Sequence, residues 1–245
     1  MNLNQDWFRQ WFNSPYYSTL YKNHDIREAS IFLDHLLEHL KIKPNSRLLD
    51  LPCGEGRHSI YLNELGFEVT GADLNEKCIQ KAKQFERSGL KFLIHDMREP
   101  IKESSFKLIL NLFTSFGYFE TENEDLKTLD SIYNGLEDSG WFVLDYINMT
   151  KAINSLLEND ELTIDNINFK IQRRVEGDFL IKSILVQDGD IHEKYFERLR
   201  ILLPKNFQDY FKTTNFAIHG TYGDYNFSPF LPESSKRLIY ILRKS

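Results

Sequence analysis

The residues best suited to chemistry stand together in one stretch, Leu48-Leu49-Asp50-Leu51-Pro52-Cys53-Gly54-Glu55-Gly56-Arg57-His58. An apolar run ends in an acid, crosses a turn that holds two glycines, and enters a helix. Glycines in such a turn let the backbone approach a ligand, and a helix start offers N–H groups that have no partner within the helix. A second apolar run, Phe67-Glu68-Val69-Thr70-Gly71-Ala72, ends in Asp73, 23 residues after Asp50. An acid at that place can accept both hydroxyls of a ribose; its other reading is a cap for the helix that follows. Acid, glycines and acid together describe a crevice for a nucleoside-containing ligand.

Electrostatics narrows the nucleoside. A dinucleotide fingerprint, Gly-x-Gly-x-x-Gly, needs a third glycine for close helix–strand packing around a pyrophosphate, and this chain has Ser59 there. Asp50 stands at the mouth of the turn, where a carboxylate repels a pyrophosphate and attracts an ammonium or sulfonium. S-adenosylmethionine meets that requirement.

These residues need a scaffold, and the flanking sequence supplies one. From residue 47, short apolar runs (Arg47–Leu51, Phe67–Ala72, Lys91–His95, Phe106–Leu112, Trp141–Ile147) alternate with helical stretches. Such runs read as parallel strands buried on both faces. Gly66 suits a left-handed helix end, Asn75 caps the next helix, and Thr121-Glu122-Asn123-Glu124 has the form of a capping box. Upstream, Phe32, Leu33, Leu36, Leu37 and Leu40 mark the buried face of a helix that Pro44 ends. After residue 160, Phe169–Val175, Phe179–Val186 and Ile191–Leu203 form an antiparallel meander. A short helix from Pro204 and two strands, Phe216–Tyr222 and Arg237–Leu242, close the chain.

The Asp50-x-x-Cys53-Gly54-x-Gly56 motif, Asp73, and His95-Asp96-Met97 after the third run resemble class I S-adenosylmethionine-dependent methyltransferases. So do the segment from Asn111 to Phe119 and Gly140-Trp-Phe-Val-Leu-Asp145, which are similar to small-molecule-type members. The resemblance covers roughly residues 20–150 and the two closing strands. It implies an α/β fold, a Rossmann-like three-layer α/β/α arrangement whose mostly parallel seven-stranded sheet has its last strand antiparallel, with the meander as an insertion. With the element pattern, the chain reads as an aromatic lid and helix (1–43), the cofactor-binding core (44–150), the β insertion as substrate lid (151–203), and the closing helix and strands (204–245).

By that resemblance Asp73, with Leu74 beside it, holds the ribose hydroxyls, and Asp96 the adenine amino group with Met97 nearby. Gly54 and Gly56 flank the methionine moiety, Asp50 orders the turn near the cofactor amine, and Asn111 and Leu112 lie under the sulfonium. The expected cofactor is S-adenosyl-L-methionine, leaving as S-adenosyl-L-homocysteine after in-line methyl displacement to a nitrogen, oxygen or carbon of a small-molecule acceptor. Two departures matter. Pro52 stands where the family's usual motif has glycine, so that turn must not need its N–H. The fourth strand ends Asn111-Leu112-Phe113 rather than Asn-Pro-Pro-Tyr, which argues against methylation of an exocyclic amino group of a base.

Acceptor-side candidates follow from position. Phe113, Ser115 and Tyr118 come after the fourth run, Asn148 after the fifth, and Tyr225 near the last strand. His58 faces either the site or a structural partner. The N-terminal aromatics read either as a core-covering lid or as a pocket wall with Tyr16, Tyr17 and Tyr21 facing the ligand, since aromatic faces attract cations; the resemblance implies a lid that closes over the cofactor and makes Tyr21 the cofactor-side choice. Arg173 shares parity with Phe169 and Ile171 and can point inward; the alternative is a solvated charge row.

The 245 residues are 41% hydrophobic and 27% charged, globular in composition and large enough for a sizeable core. A net charge of −6 disfavours a generic nucleic-acid surface. No apolar run reaches membrane-spanning length, Met1–Asp6 lacks the features of a secretory signal, and Cys53 and Cys78 make neither a disulfide framework nor a metal site. The expectation is a cytoplasmic enzyme without metal. Two further readings stand beside it: an NAD(P)-dependent oxidoreductase, opposed by Asp50 and the missing glycine, and a catalytically silent S-adenosylmethionine-binding partner subunit.

Overall fold

A computed structural model describes residues 7–22, 26–102 and 105–245; Met1–Asp6 lie outside the described residues, as do 23–25 and 103–104. In chain order the elements are helices α1 (Trp7–Phe12), α2 (Pro15–Leu20) and α3 (Ile26–Leu40), then β1 (Arg47–Asp50), α4 (Arg57–Glu64), β2 (Glu68–Asp73), α5 (Glu76–Ala82), β3 (Leu90–Ile94) and β4 (Phe106–Asn111). After these come α6 (Glu122–Gly135), β5 (Leu136–Ile147), α7 (Met149–Asn154), β6 (Asn159–Ile164), β7 (Ile167–Glu176), β8 (Phe179–Asp188) and β9 (Ile191–Arg200). The chain finishes with α8 (Pro204–Thr213), β10 (Phe216–Tyr222) and β11 (Arg237–Lys244). Contacts divide the chain into two compact units, Met1–Asp25 with Ala152–Ile201, and Ile26–Lys151 with Leu202–Ser245.

The larger unit is built on a seven-stranded sheet of order β10-β11-β5-β4-β1-β2-β3. β1 to β5 run parallel, and β11 is antiparallel to both β5 and β10. The expected fold is therefore present, including the reversed last strand. The centres of β1, β4 and β11 are buried on both faces, which is why Leu48-Leu49, Leu108-Ile109-Leu110 and Leu238-Ile239-Tyr240-Ile241-Leu242 are continuous apolar runs instead of alternating. Phe32, Leu33, Leu36, Leu37 and Leu40 of α3 join this core. The helix stops before Pro44: Lys41 turns left-handed (φ 53°), and the Ile42 N–H closes on the Leu37 carbonyl at 3.0 Å. Asn75 caps α5, and Thr121 and Glu124 form the capping box that opens α6.

β1 has β2 on one side and β4 on the other, so chain order reverses around it. Such a switch point opens a crevice at the carboxyl ends of the strands. Asp50, Asp73 and Asn111 are the last residues of β1, β2 and β4.

The smaller unit is a four-stranded antiparallel sheet, β6-β7-β8-β9, one strand more than the meander read from sequence. The added strand β6 pairs with β7 through a two-residue turn, Asp165-Asn166, both left-handed (φ 51° and 65°), as a hairpin of this type requires. Phe169, Ile171, Ile184 and Val186 form one buried face, covered by Trp11 and Tyr16 of α1 and α2. Among the described residues no helix is long and apolar enough to cross a membrane.

Candidate functional site

The turn after β1 contains a cis Leu51–Pro52 peptide and two left-handed glycines, Gly54 (φ 56°) and Gly56 (φ 84°). The glycines differ in surroundings. A Cβ on Gly56 would lie 2.5 Å from the Phe92 ring, whereas a Cβ on Gly54 would meet nothing within 4 Å. Gly56 makes room for protein, and Gly54 leaves room over the crevice.

The Asp73 carboxylate ties this turn to β2: Oδ2 accepts the Gly54 N–H and Oδ1 the Asn75 N–H, both at 2.8 Å. Burial raises its pKa even though these N–H groups, and that of Leu74, favour the charged form. Asp50 is 1% exposed and accepts the Ser59 hydroxyl at 2.7 Å. Burial pushes its carboxyl up to about 7 against that hydrogen bond, and the Asp73 charge adds to the rise while Arg57 opposes it. Ser59, the residue that breaks the dinucleotide fingerprint, thus serves the acid. Because folding raises this pKa, the proton-linked stability is full below about pH 4 and is lost as pH approaches 7. The ligand-free protein is expected to lose melting temperature between pH 5 and 7, and Asp50→Asn to flatten that decline. Thermal melts of both proteins across this range check it.

Asp96, two residues past the end of β3, is engaged by Arg98. Arg98 Nη2 and Nε reach its carboxylate at 2.6 and 3.0 Å, and Nη1 reaches Glu124 at 2.6 Å. Burial works to raise the Asp96 carboxyl, but the Arg98 contacts outweigh it and hold the group below the usual range. Met97 is part-buried. Asn111 is fully buried: its amide donates to the Leu51 carbonyl at 2.9 Å, its Nδ2 lies 3.8 Å from Met97 Sδ, and its Oδ1 has no hydrogen-bond partner among the described residues. Leu112 is in the core behind it.

Beyond β4, Phe113 (φ 59°) and Thr114 (φ 63°) are two successive non-glycine residues in the left-handed region, a strain of about 1–3 kcal/mol each. Both N–H groups bind Asp145 of β5, Phe113 to Oδ2 at 2.8 Å and Thr114 to the carbonyl at 2.9 Å. The Phe113 ring stacks on His58, 5.0 Å away and 9° from parallel. Arg57 Nε donates to His58 Nε2 at 3.1 Å, and burial first, then Arg57, lowers the imidazole to about 3, so His58 is neutral. The Tyr225 hydroxyl donates to Asp145 at 3.0 Å, and the Ser115 hydroxyl to the Leu112 carbonyl at 2.8 Å. Tyr118 is part-buried. Asn148 is buried, and its amide holds the carbonyls of Pro232 and Ser235 at 2.7 and 2.8 Å.

The larger unit thus brings Asp50, Pro52, Gly54, Gly56, His58, Asp73, Asn111 and Phe113 to the strand ends. Tyr16, Tyr17, Tyr21 and Arg173 belong to the smaller unit and have partners there. Tyr16 donates to Asp188 at 3.3 Å, Tyr17 packs edge-on against Trp11, and Tyr21 bridges Glu197 and Lys182. Arg173 bonds the Leu157 carbonyl at 3.1 Å and Asp160 at 3.3 Å. Sequence reasoning missed Ser59, Thr114, Arg237 and the ligating role of Asp145. For Asp145 a signal existed, an acid set directly after the apolar run Trp141–Leu144 and inside the strand.

A parallel sheet with a switch point at β1, an acid–glycine–glycine turn and a second acid at the end of β2 define a Rossmann-like nucleoside-binding protein. Comparison with known proteins makes this specific. A family model described as a methyltransferase domain matches residues 42–198, and the chain belongs to this family of S-adenosylmethionine-dependent methyltransferases. The putative methyltransferase YqeM of Bacillus subtilis (strain 168) is 29% identical over 214 residues, 81% of this chain and 84% of that protein. Glycine/sarcosine N-methyltransferase of Halorhodospira halochloris is 31% identical over 120 residues, 47% of this chain and 45% of the relative. An S-adenosylmethionine-dependent methyltransferase from Clostridium acetobutylicum ATCC 824 shares the fold at a TM-score of 0.78 and 19% identity, over 93% of this chain and 95% of its own. The oxidoreductase reading is set aside.

Proposed function

We propose that the crevice at the ends of β1, β2 and β4 transfers the cofactor's methyl group to a small-molecule acceptor, and that the acceptor atom is an amine nitrogen. The observation that carries the reading is the pair of acids over an open glycine turn. Asp73 has oxygen lone pairs left after its two N–H contacts and can accept the ribose hydroxyls. Asp50, buried and poised to ionise near neutrality, favours a cation over a pyrophosphate. The orphaned Asn111 Oδ1 and the empty space beside Gly54 fit a polar ligand laid against the strand ends. S-adenosylmethionine supplies an activated methyl on a sulfonium. The chain's own part is to hold it, to orient the acceptor and to keep water out.

Asp96 can offer the adenine amino group only those lone pairs that Arg98 leaves free. His58 stays neutral and is stacked in place, so it orients rather than titrates. A neutral amine nucleophile needs no base held by the protein. The glycine/sarcosine relative acts on an amine, and the net charge of −6 suits a small molecule better than a nucleic acid. Two free cysteines fit a reducing cytoplasm.

Incubation with methyl-labelled S-adenosylmethionine and a panel of amino acids, amino sugars and transfer RNA tests the reading. Label is expected in a small amine. Label confined to the RNA would overturn the small-molecule assignment.

A further inference from the structure

Asp145, which is fully buried, and Arg237, which is largely buried, form an ion pair whose side-chain contacts are with the Phe113–Thr114 turn and Tyr225. Arg237 Nε donates to Asp145 Oδ1 at 2.7 Å, and its Nη2 donates to the Thr114 hydroxyl at 2.8 Å. Asp145 Oδ2 takes the Phe113 N–H and the Tyr225 hydroxyl, while the Asp145 carbonyl takes the Thr114 N–H. The turn is thus held at two backbone N–H groups and one side chain, all from neighbouring strands. A buried ion pair is a poor source of net stability, since apolar residues of similar volume do as well or better. What this pair does that apolar residues cannot is accept the Phe113 N–H and donate to the Thr114 hydroxyl, so that its side chains grip both of two left-handed, non-glycine residues that would otherwise relax.

We propose that Asp145 and Arg237 are positioning residues that lock the Phe113–Thr114 turn and thereby hold the Phe113 ring flat against His58 as one wall of the crevice. The inference rests on reading that crevice as the methyl-transfer site. Its chain of cause is geometric. The pair fixes the turn, the turn fixes the Phe113 ring, and the ring, with the Arg57 guanidinium 5.2 Å away, buries the imidazole of the first turn of α4. Tyr225 joins the wall through its hydroxyl on Asp145 and its ring 5.7 Å from Phe113.

The test uses the full chain without acceptor, in the wild type, the charge-neutral double variant Asp145→Asn with Arg237→Gln, and Tyr225→Phe. Nuclear magnetic resonance reads the amide exchange of Phe113 and Thr114 and the pH titration of the His58 ring. In the double variant the Phe113 amide, which loses its carboxylate acceptor, is expected to exchange on the order of 100-fold faster, and Thr114, which keeps the main-chain carbonyl of residue 145, on the order of 10-fold faster, while Val143 and Ile239 keep their protection. The His58 titration is expected to move up from about 3 toward the ordinary histidine range. Tyr225→Phe, which retains the ion pair, is expected to show the same changes at about a tenth of the size. Unchanged exchange at Phe113 and Thr114 together with an unmoved His58 titration would overturn the proposal. So would a loss of protection spread evenly over the sheet, which marks a structural pair only. If the double variant does not fold, Tyr225→Phe decides alone on the same two readings. Calorimetry with S-adenosylmethionine on the wild type keeps the two readings apart, since failure to bind there counts against the methyl-transfer site and leaves the wall unaffected.

Discussion

Replacing Asp73 by alanine is expected to weaken S-adenosylmethionine binding about 100-fold, with the protein still folded. The carboxyl stands at the end of β2, where burial raises its pKa and the backbone N–H groups of Asn75, Gly54 and Leu74 only partly oppose that rise. Hydrogen bonds to a charged group contribute about 1.5–3 kcal/mol each, and two ribose hydroxyls can use the remaining lone pairs. Alanine also releases the Gly54 N–H, so part of the loss comes through the turn. Asp73→Asn separates the two effects: it keeps one acceptor oxygen for the turn, and its binding loss is expected to be about tenfold. Titration calorimetry measures both. Wild-type affinity in Asp73→Ala would remove the ribose role from this acid.

Gly56→Val and Gly54→Ala are expected to fail in opposite ways, although the two glycines are two positions apart in one turn. At Gly56 any side chain suffers the left-handed φ of 84° and a clash at 2.5 Å with the buried Phe92 ring. Strain of about 1–2 kcal/mol plus overpacking of about 1–3 kcal/mol gives a loss of about 2–5 kcal/mol. For a chain of this size that lowers the melting temperature by on the order of 10 °C. Gly54→Ala carries only the conformational cost, about 1–2 kcal/mol, because its Cβ meets open space. That space is where the cofactor is proposed to pass, so its binding is expected to fall more than tenfold, about 1.4 kcal/mol or more. Melting curves and calorimetry on both variants give the contrast. Equal losses of stability, or undiminished binding in Gly54→Ala, would contradict the division of labour between the glycines.

The parallel strands were legible because burial on both faces writes a continuous apolar run. Asn75 and the Thr121–Glu124 box were legible because a capping side chain must stand at a fixed offset from its helix. Asp50 and Asp73 showed for a related reason: an acid that ends an apolar strand has no structural excuse in the strand itself. β6 was missed because its two apolar residues, Leu162 and Ile164, alternate with Glu161 and Thr163 on a half-exposed edge. Its hairpin was nonetheless signalled by Asp165-Asn166, two residues that tolerate positive φ. The turn at Phe113-Thr114 could not be read, since neither residue type favours the left-handed region and the forces that hold it come from Asp145 and Arg237, 32 and 123 residues away. Arg98 drew no reading from the sequence, although it stands two residues after Asp96 and claims much of that carboxylate. For β6 and for the Phe113-Thr114 turn the deciding partner lies on another strand, and pairing across the sheet is what a local pattern does not record.

The most direct test is calorimetric titration of the wild-type chain with S-adenosylmethionine and, separately, with NADH. Binding of S-adenosylmethionine at one site per chain, with no heat from NADH, is the expected result. Binding of NADH with silence toward S-adenosylmethionine would contradict the cationic-nucleoside crevice built on Asp50, Gly54 and Asp73.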